Sequence, residues 1–328
     1  MQSTPLRFAI SATAHNRPDR LERLLASVAD AAGSAQWPMY ISIEPTPVQD
    51  QILAVIERYR TRLTLQARVN AERKGVRRNP FDNVEWVLSE GADTVLLLED
   101  DLLIDHQALR WCEGMADGPL QQPGVMAANL LTTTCNSESI FVPDAGERAR
   151  LAGLVLRTRF FSSYGLLFTR QQWAAHFRDN WFVDAPLMEN WEGRQVTGWD
   201  VAMTRWLLCR PELSVLQSLV PRVMHDGAGG THISDAFQDR SFGNIAFDAA
   251  ADDATGLPAL RVIDALADLD QVPSAAARMY LNLARHLWTL QQHSLAFKHT
   301  VPDLAGLKQK RFRLGAHEYL VFRRRRPK

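Results

Sequence analysis

Residues 95–105 read Val-Leu-Leu-Leu-Glu-Asp-Asp-Leu-Leu-Ile-Asp, and few architectures accept such a stretch. The aliphatic run is short, lacks polar alternation and is bounded by polar residues, which describes a strand covered on both faces. Such strands belong to sheets with helices packed on each side. Glu99, Asp100 and Asp101 follow together at the strand's carboxyl end. Three carboxylates there repel one another and lose hydration, so a cation is expected beside them, most simply a divalent metal with oxygen ligands. Open α/β sheets bind ligands beyond the carboxyl ends of their strands, and a hard metal there is well placed to hold a diphosphate. An acidic turn after a core strand is the bland alternative, and the motif alone leaves both readings open.

The flanking sequence supports a mostly parallel, doubly wound α/β sheet of Rossmann-like type. Residues 8–13 predict a strand, followed by a turn at His15–Asp19 and a helix carrying Leu21, Leu24, Leu25 and Val28 on one face. Strands are expected at 40–43 and 63–69, and helices at 48–59 and 81–90. Beyond residue 106 the pattern is less regular, with strands expected near 124–130, 154–161 and 213–220 and helices near 171–177 and 199–208. From about residue 252 the pattern reads as helical, most clearly over 275–296. The expected organisation is a main domain over 1–249, in two halves at about 1–105 and about 106–249. A helical extension with a basic tail then covers 250–328.

Lys plus Arg and Asp plus Glu both number 37, so global charge gives no sign of a nucleic-acid partner. The basic residues gather at the end: nine Lys or Arg lie between Val301 and Lys328, against Asp303 and Glu318. Three scattered cysteines, Cys112, Cys135 and Cys209, form neither a CxxC pair nor a disulfide framework. With no signal-peptide pattern and no run of ~20 apolar residues, a cytoplasmic protein is expected. The basic end offers peripheral contact with the inner face of a membrane.

Other segments could supply chemistry. Glu44 ends a predicted strand, where a carboxylate can contact a ribose or serve as a solvated turn. Residues 70–79 place Arg73, Lys74, Arg77 and Arg78 around Gly75, suited to a diphosphate or to a charged surface loop. His225 and His232 flank a glycine-rich loop and could add an imidazole to an oxygen-rich site of the kind manganese tolerates. Trp191-Glu192 and Trp199-Asp200 pair a potential sugar-stacking surface with a carboxylate that could accept a hydroxyl proton. Core packing is the alternative for each tryptophan. The GxGxxG, GxxxxGK[ST], HExxH and GxSxG patterns are absent.

Taken in order, these pieces resemble the GT-A glycosyltransferases. Residues 10–18, Ile-Ser-Ala-Thr-Ala-His-Asn-Arg-Pro, resemble the first strand and nucleotide-binding loop of that fold, and 98–102 resemble its DXD-type motif. The N-acetylglucosaminyltransferase I family is the nearest likeness, sharing a Glu-Asp-Asp version of the motif. Residues 160–167 and Trp199-Asp200 continue the resemblance, which covers roughly 7–235. It implies Asp101 as metal ligand, with Glu99 and Asp100 on the ribose, the donor sugar or the metal shell. Thr13, His15, Arg17, Glu44 and Arg73 would line the nucleotide-sugar site. His232 would contact the metal or diphosphate, and Trp191 and Trp199 the acceptor. The family places its catalytic base on the second acid of a Trp-Asp-Asp segment, where this chain has Val201. Asp200 is then the candidate base by proximity, with Glu192 as substitute.

The implied activity is an inverting transfer, dependent on Mn2+ or Mg2+, from a nucleotide-diphosphate sugar (UDP-linked by expectation) to a glycan or lipid-linked glycan hydroxyl. A non-catalytic nucleotide-sugar or glycan-binding module is the alternative, and Val201 is the feature that favours it.

Overall fold

The computed structural model describes residues 6–131, 145–159, 161–182, 198–208, 210–227 and 257–264. It also describes shorter pieces at 188–189, 195–196, 238, 242, 247, 269–272 and 278, and the strands 307–314 and 317–324. In chain order the first half is β1 (Phe8–Ala14), α1 (Pro18–Asp30), β2 (Met39–Ile43), α2 (Gln49–Tyr59), β3 (Leu65–Val69), α3 (Gly75–Ser89) and β4 (Thr94–Glu99). There follow β5 (Leu102–Ile104), α4 (Ala108–Ala116), β6 (Val125–Asn129), α5 (Ala145–Leu151), β7 (Leu154–Thr158) and β8 (Leu166–Thr169). A short α6 (Arg170–Gln172) runs into a π-turn at Trp173–Phe177, before β9 (Met188–Glu189), β10 (Gln195–Val196) and α7 (Trp199–Leu208). The remaining elements are β11 (Ser214–Ser218), β12 (Val223–His225), β13 (Arg261–Asp264), β14 (Leu307–Leu314) and β15 (His317–Arg324).

One nine-stranded sheet organises the molecule, in the order β13-β7-β11-β6-β8-β4-β1-β2-β3. Its β1–β2, β2–β3, β1–β4, β6–β11 and β7–β13 pairings are parallel, while β8 lies antiparallel between β4 and β6, and β7 antiparallel to β11. This is the mixed α/β, mostly parallel sheet flanked by helices that the alternating pattern predicts.

Both faces of the central strands are covered. Leu96 and Leu98 of β4 join Ile10, Ala12 and Ala14 of β1 in a core with the α1 stripe Leu21, Leu24, Leu25 and Val28. Val95 and Leu97 point the other way, into a core with Val84, Val87 and Leu88 of α3. Apolar residues on both faces leave no polar alternation in β4, which is why its sequence reads as one continuous run. A polar seam registers α3 on the sheet: the buried Asn83 amide donates to Ser11 Oγ (2.8 Å), Ala12 O (2.9 Å) and Tyr40 O (3.0 Å). Asn79 Oδ1 accepts from Ser42 Oγ at 2.6 Å and from Asn70 Nδ2 at 2.9 Å.

Two boundaries differ from the sequence reading. Helix α3 begins at Gly75, inside the segment expected to be a basic loop. Its first turn lacks a Ser, Thr, Asp or Asn cap, so the start is not written locally. Past residue 252, where helix was expected, the described elements are three strands and a 3-10 turn at Leu269–Gln271. β13 extends the central sheet beside β7, and β14 and β15 form an antiparallel hairpin. Arg-Val-Ile-Asp is too short for a period to register, and the charge density of 307–314 masks its strand character. The expected helix 275–296 lies, apart from Arg278, outside the described residues. Among the described residues, no helix is long and apolar enough to cross a membrane.

Candidate active site

From β1 the chain moves outward to β2 and β3, then returns to β4 on the opposite side of β1. Connections therefore diverge between the parallel neighbours β1 and β4, opening a crevice at their carboxyl ends, where α/β sheets hold ligands. Residues of the β1–α1 loop meet the acidic triplet there. Thr13 lies directly opposite Glu99 in the ladder. The His15 backbone N–H donates to the Asp100 carboxylate. Arg17 Nη2 donates to both Asp100 Oδ1 (2.5 Å) and Asp101 Oδ2 (2.9 Å). The cation that the triplet demands is thus, in this structure, a side chain 83 and 84 residues away in sequence.

A second layer fixes Asp101. Strand β12 pairs antiparallel with β5, immediately after the triplet, setting His225 opposite Leu102. The Asp226 N–H donates to Asp101 O at 2.7 Å, and the Asp226 carboxylate is held by Arg20 and Arg23 of α1, each at 2.5 Å. His225 Nε2 then lies 3.5 Å from Asp101 Oδ2, while Nδ1 is 2.6 Å from Gln238 Oε1. Tyr164 and Phe242 wall the imidazole at ring-centroid distances of 5.4 and 5.0 Å. Gly227 closes the arrangement: a Cβ there would come within 2.1 Å of the His225 ring and 3.0 Å of Asp101 Oδ2.

These surroundings separate the three acids. Burial, then Asp101, and further Asp100 and Asp200, push Glu99 up to about 8, against a lowering by His225. Burial raises Asp100 to about 6, with Arg17 pulling downward and Asp101 upward. For Asp101 burial also works upward, but the hydrogen bond and charge of His225, followed by Arg17, bring it down to about 2. Burial lowers His225, yet its bond to Asp101 leaves it raised overall. Opposed shifts among neighbouring acids are characteristic of reactive sites, although structural ion pairs produce them too.

Asp200 stands in the first turn of α7, where the helix dipole favours a carboxylate, and its charge reaches Glu99. A Cβ at Gly198 would fall 1.8 Å from Asp200 Oδ1, so glycine makes room for that carboxylate.

Other candidates sit elsewhere. Glu44 is 5% exposed and accepts from the N–H groups of Lys74 (2.9 Å) and Gly75 (2.8 Å). It caps α3, a role that the sequence reading did not assign to it. A sequence scan looks for caps beside the helix, and this one comes from another strand. Arg73 is exposed in the α3 approach, and Lys74 and Arg78 both pair with Asp82. Trp199 is buried, its ring stacked on Trp181 at 4.1 Å and 7° and edge-on to Phe161, so it serves the core rather than offering an open sugar platform. Trp191, Glu192 and His232 lie outside the described residues. Among the described residues, the imidazole that reaches the triplet is that of His225, which also borders the glycine-rich segment.

A divalent cation fits this site in one respect. Asp101 is 7% exposed and its Oδ1 is buried with no hydrogen-bond partner among the described residues. Among those residues no group of three His, Cys, Asp or Glu forms a ready cage. Magnesium-type sites do not require one, since one or two carboxylates, waters and substrate phosphates complete the shell.

No family model and no curated protein matches the chain. Among solved structures it is similar to S. aureus TarS 1–349, with 14% identity, a TM-score of 0.43, and coverage of 66% of this chain and 61% of that one. S. aureus TarS 1–349 in complex with UDP-GlcNAc gives 15% identity and a TM-score of 0.41, covering 65% and 58%. Mannosyltransferase PcManGT from Pyrobaculum calidifontis, in complex with GDP-Man and Mn2+, gives 14% identity and a TM-score of 0.42, covering 92% and 78%. The chain thus spans about three fifths of the TarS structures. At scores this low, none of these likenesses bears on the chemistry of this chain.

Proposed function

We propose that this chain is a nucleotide-sugar glycosyltransferase that moves a sugar from a nucleotide-diphosphate donor to the hydroxyl of a glycan or lipid-linked glycan. The observation that carries this reading is the convergence, at the β1/β4 switch point, of Thr13, His15 and Arg17 with Glu99, Asp100 and Asp101, beside Asp200. A diphosphate leaving group needs positive charge, a donor ribose needs acceptors, and an attacking hydroxyl needs a base. The crevice contains candidates for all three.

In this reading Asp101, whose buried Oδ1 has no hydrogen-bond partner among the described residues, would hold a Mn2+ or Mg2+ ion, and His225 beside its other oxygen orients the carboxylate. When bound, the ion supplies Lewis-acid stabilisation of the charge that develops on the diphosphate. Arg17 adds a guanidinium suited to a phosphate fork. In the same reading the Glu99 carboxyl, opposite Thr13, hydrogen-bonds a donor hydroxyl. Asp200 takes the proton of the acceptor hydroxyl as that hydroxyl's oxygen attacks the anomeric carbon and the bond from that carbon to the diphosphate oxygen breaks. A single base corresponds to direct inversion, and a UDP-linked donor is the form we propose. The setting proposed is cytoplasmic, with the basic segment 323–328 against an anionic leaflet.

Thermal stability across a panel of UDP- and GDP-sugars, with and without Mn2+, tests the donor site. A ligand that binds only the folded state raises Tm by mass action. A metal-dependent rise with one sugar nucleotide, lost in Asp101→Ala, is the expected result. No rise with any of them at saturating concentration would refute the reading.

A further inference from the structure

Arg17 sits where the reading above needs a cation. Its Nη2 bonds two carboxylates that are themselves 5% and 7% exposed. A dication on Asp101 would stand beside that guanidinium, and two like charges do not share so small a space. Cation and Arg17 are therefore alternative occupants of the acidic pair.

The backbone allows an exchange. Pro18 opens α1 and the Arg17 carbonyl accepts from Arg20 and Leu21, so the main chain is anchored. The Arg17 side chain remains 28% exposed, against 7% and 9% for the Asp100 and Asp101 side chains. It can rotate away without disturbing helix or sheet, while the acids cannot follow it.

We propose that Arg17 is the resting counter-ion of Asp100 and Asp101, that a divalent cation displaces it, and that the released guanidinium then binds the donor's diphosphate. Cation and nucleotide consequently bind synergistically. The cation alone must break two buried ion pairs, whereas with the diphosphate present Arg17 gains a bidentate partner in exchange. Linkage requires the nucleotide to tighten the cation by the same factor that the cation tightens the nucleotide.

The inference rests on the reading of the site as a donor site, but its first measurement needs no nucleotide. Isothermal titration of Mn2+ into the wild-type chain, Arg17→Ala and Arg17→Gln comes first, with folding of each checked by Tm. The glutamine variant keeps hydrogen-bonding capacity if the alanine variant fails to fold. Both variants should bind Mn2+ more tightly than wild type, by roughly 5- to 150-fold, the usual range of coupling between linked sites. Repeating the titration with UDP or GDP present should tighten Mn2+ binding in wild type and do so much less in the variants. Equal or weaker Mn2+ binding in the variants, or no Mn2+ binding in any form, overturns the proposal. A gain in Mn2+ affinity with no effect of either nucleotide supports the counter-ion role and sinks the donor-site reading instead.

Discussion

Three carboxylates at one strand end shape the pH response of this chain. Glu99 and Asp100 have folded pKa values raised to about 8 and about 6, above their ordinary 4.5 and 3.8. Each therefore favours the fold fully below its ordinary value and loses that contribution as pH rises through the raised one. His225, also raised, acts in the same direction, while depressed Asp101 contributes above 3.8 and fails only as pH falls through about 2. The metal-free protein should thus lose Tm between about pH 5 and about pH 8. Glu99→Gln should flatten that slope, and an unchanged profile in the variant would show that Glu99 is not its source. The proposed base can be examined separately: if Asp200 has that role, Asp200→Asn should lower transfer by about 10²- to 10⁴-fold while leaving donor affinity nearly intact. Loss of donor binding in parallel would make Asp200 a binding residue instead. At this scale the sequence displayed the acids but not their partner. It showed that Glu99–Asp101 need a cation, yet nothing local links them to Arg17 across 83 residues. Nor did it show that His225 lies beside Asp101, because that placement depends on the β5–β12 pairing.

That pairing depends on a buried charge cluster. Asp105, fully buried just after β5, takes ion pairs from Arg148 of α5 and from Arg222 beside β12, the latter at 3.3 Å. Arg222 also donates to Ala152 O at 2.9 Å, and the Asp105 N–H to Arg222 O at 3.0 Å. Replacing Asp105 by Asn leaves two arginines facing a neutral amide, and breaking such a buried pair costs about 3–5 kcal/mol. Urea unfolding of Asp105→Asn should show that loss, and a change below about 1 kcal/mol would mean that water reaches the cluster. Helix α3 offers a milder case. With Glu44 as its remote cap, Glu44→Ala should cost about 0.5–2 kcal/mol of stability, and calorimetry can compare that loss with any change in nucleotide affinity. A large affinity loss at unchanged stability would make Glu44 a ligand contact. The β1-to-β4 elements were legible because burial on one or both faces writes itself into local periodicity. The antiparallel entry of β8 between β4 and β6 was not, since strand order is decided by pairings far apart in sequence.

At the scale of the whole molecule, the sheet continues past the point where the sequence pattern changes. β13 runs parallel to β7 from Arg261↔Leu154 to Asp264↔Arg157, and its Ile263 is fully buried. The segment before it is fitted as closely. Leu260 Cδ1 would lie 3.0 Å from a Cβ at Gly114 of α4, and Ala259 O 2.9 Å from one at Gly153. A chain ended at 249 would therefore lose more than an appendage. Strand β7, with Val155 and Leu156 at 0% exposure, would become an unpaired hydrophobic edge, the kind that recruits other chains. Truncation after residue 249 should lower Tm and produce concentration-dependent aggregation, whereas truncation after residue 272 retains β13 and should behave better. Light scattering of the two truncated chains over a range of concentrations separates the cases. Equal, monomeric behaviour of both would mean that β13 only rests against the sheet and that the folded unit closes at β7.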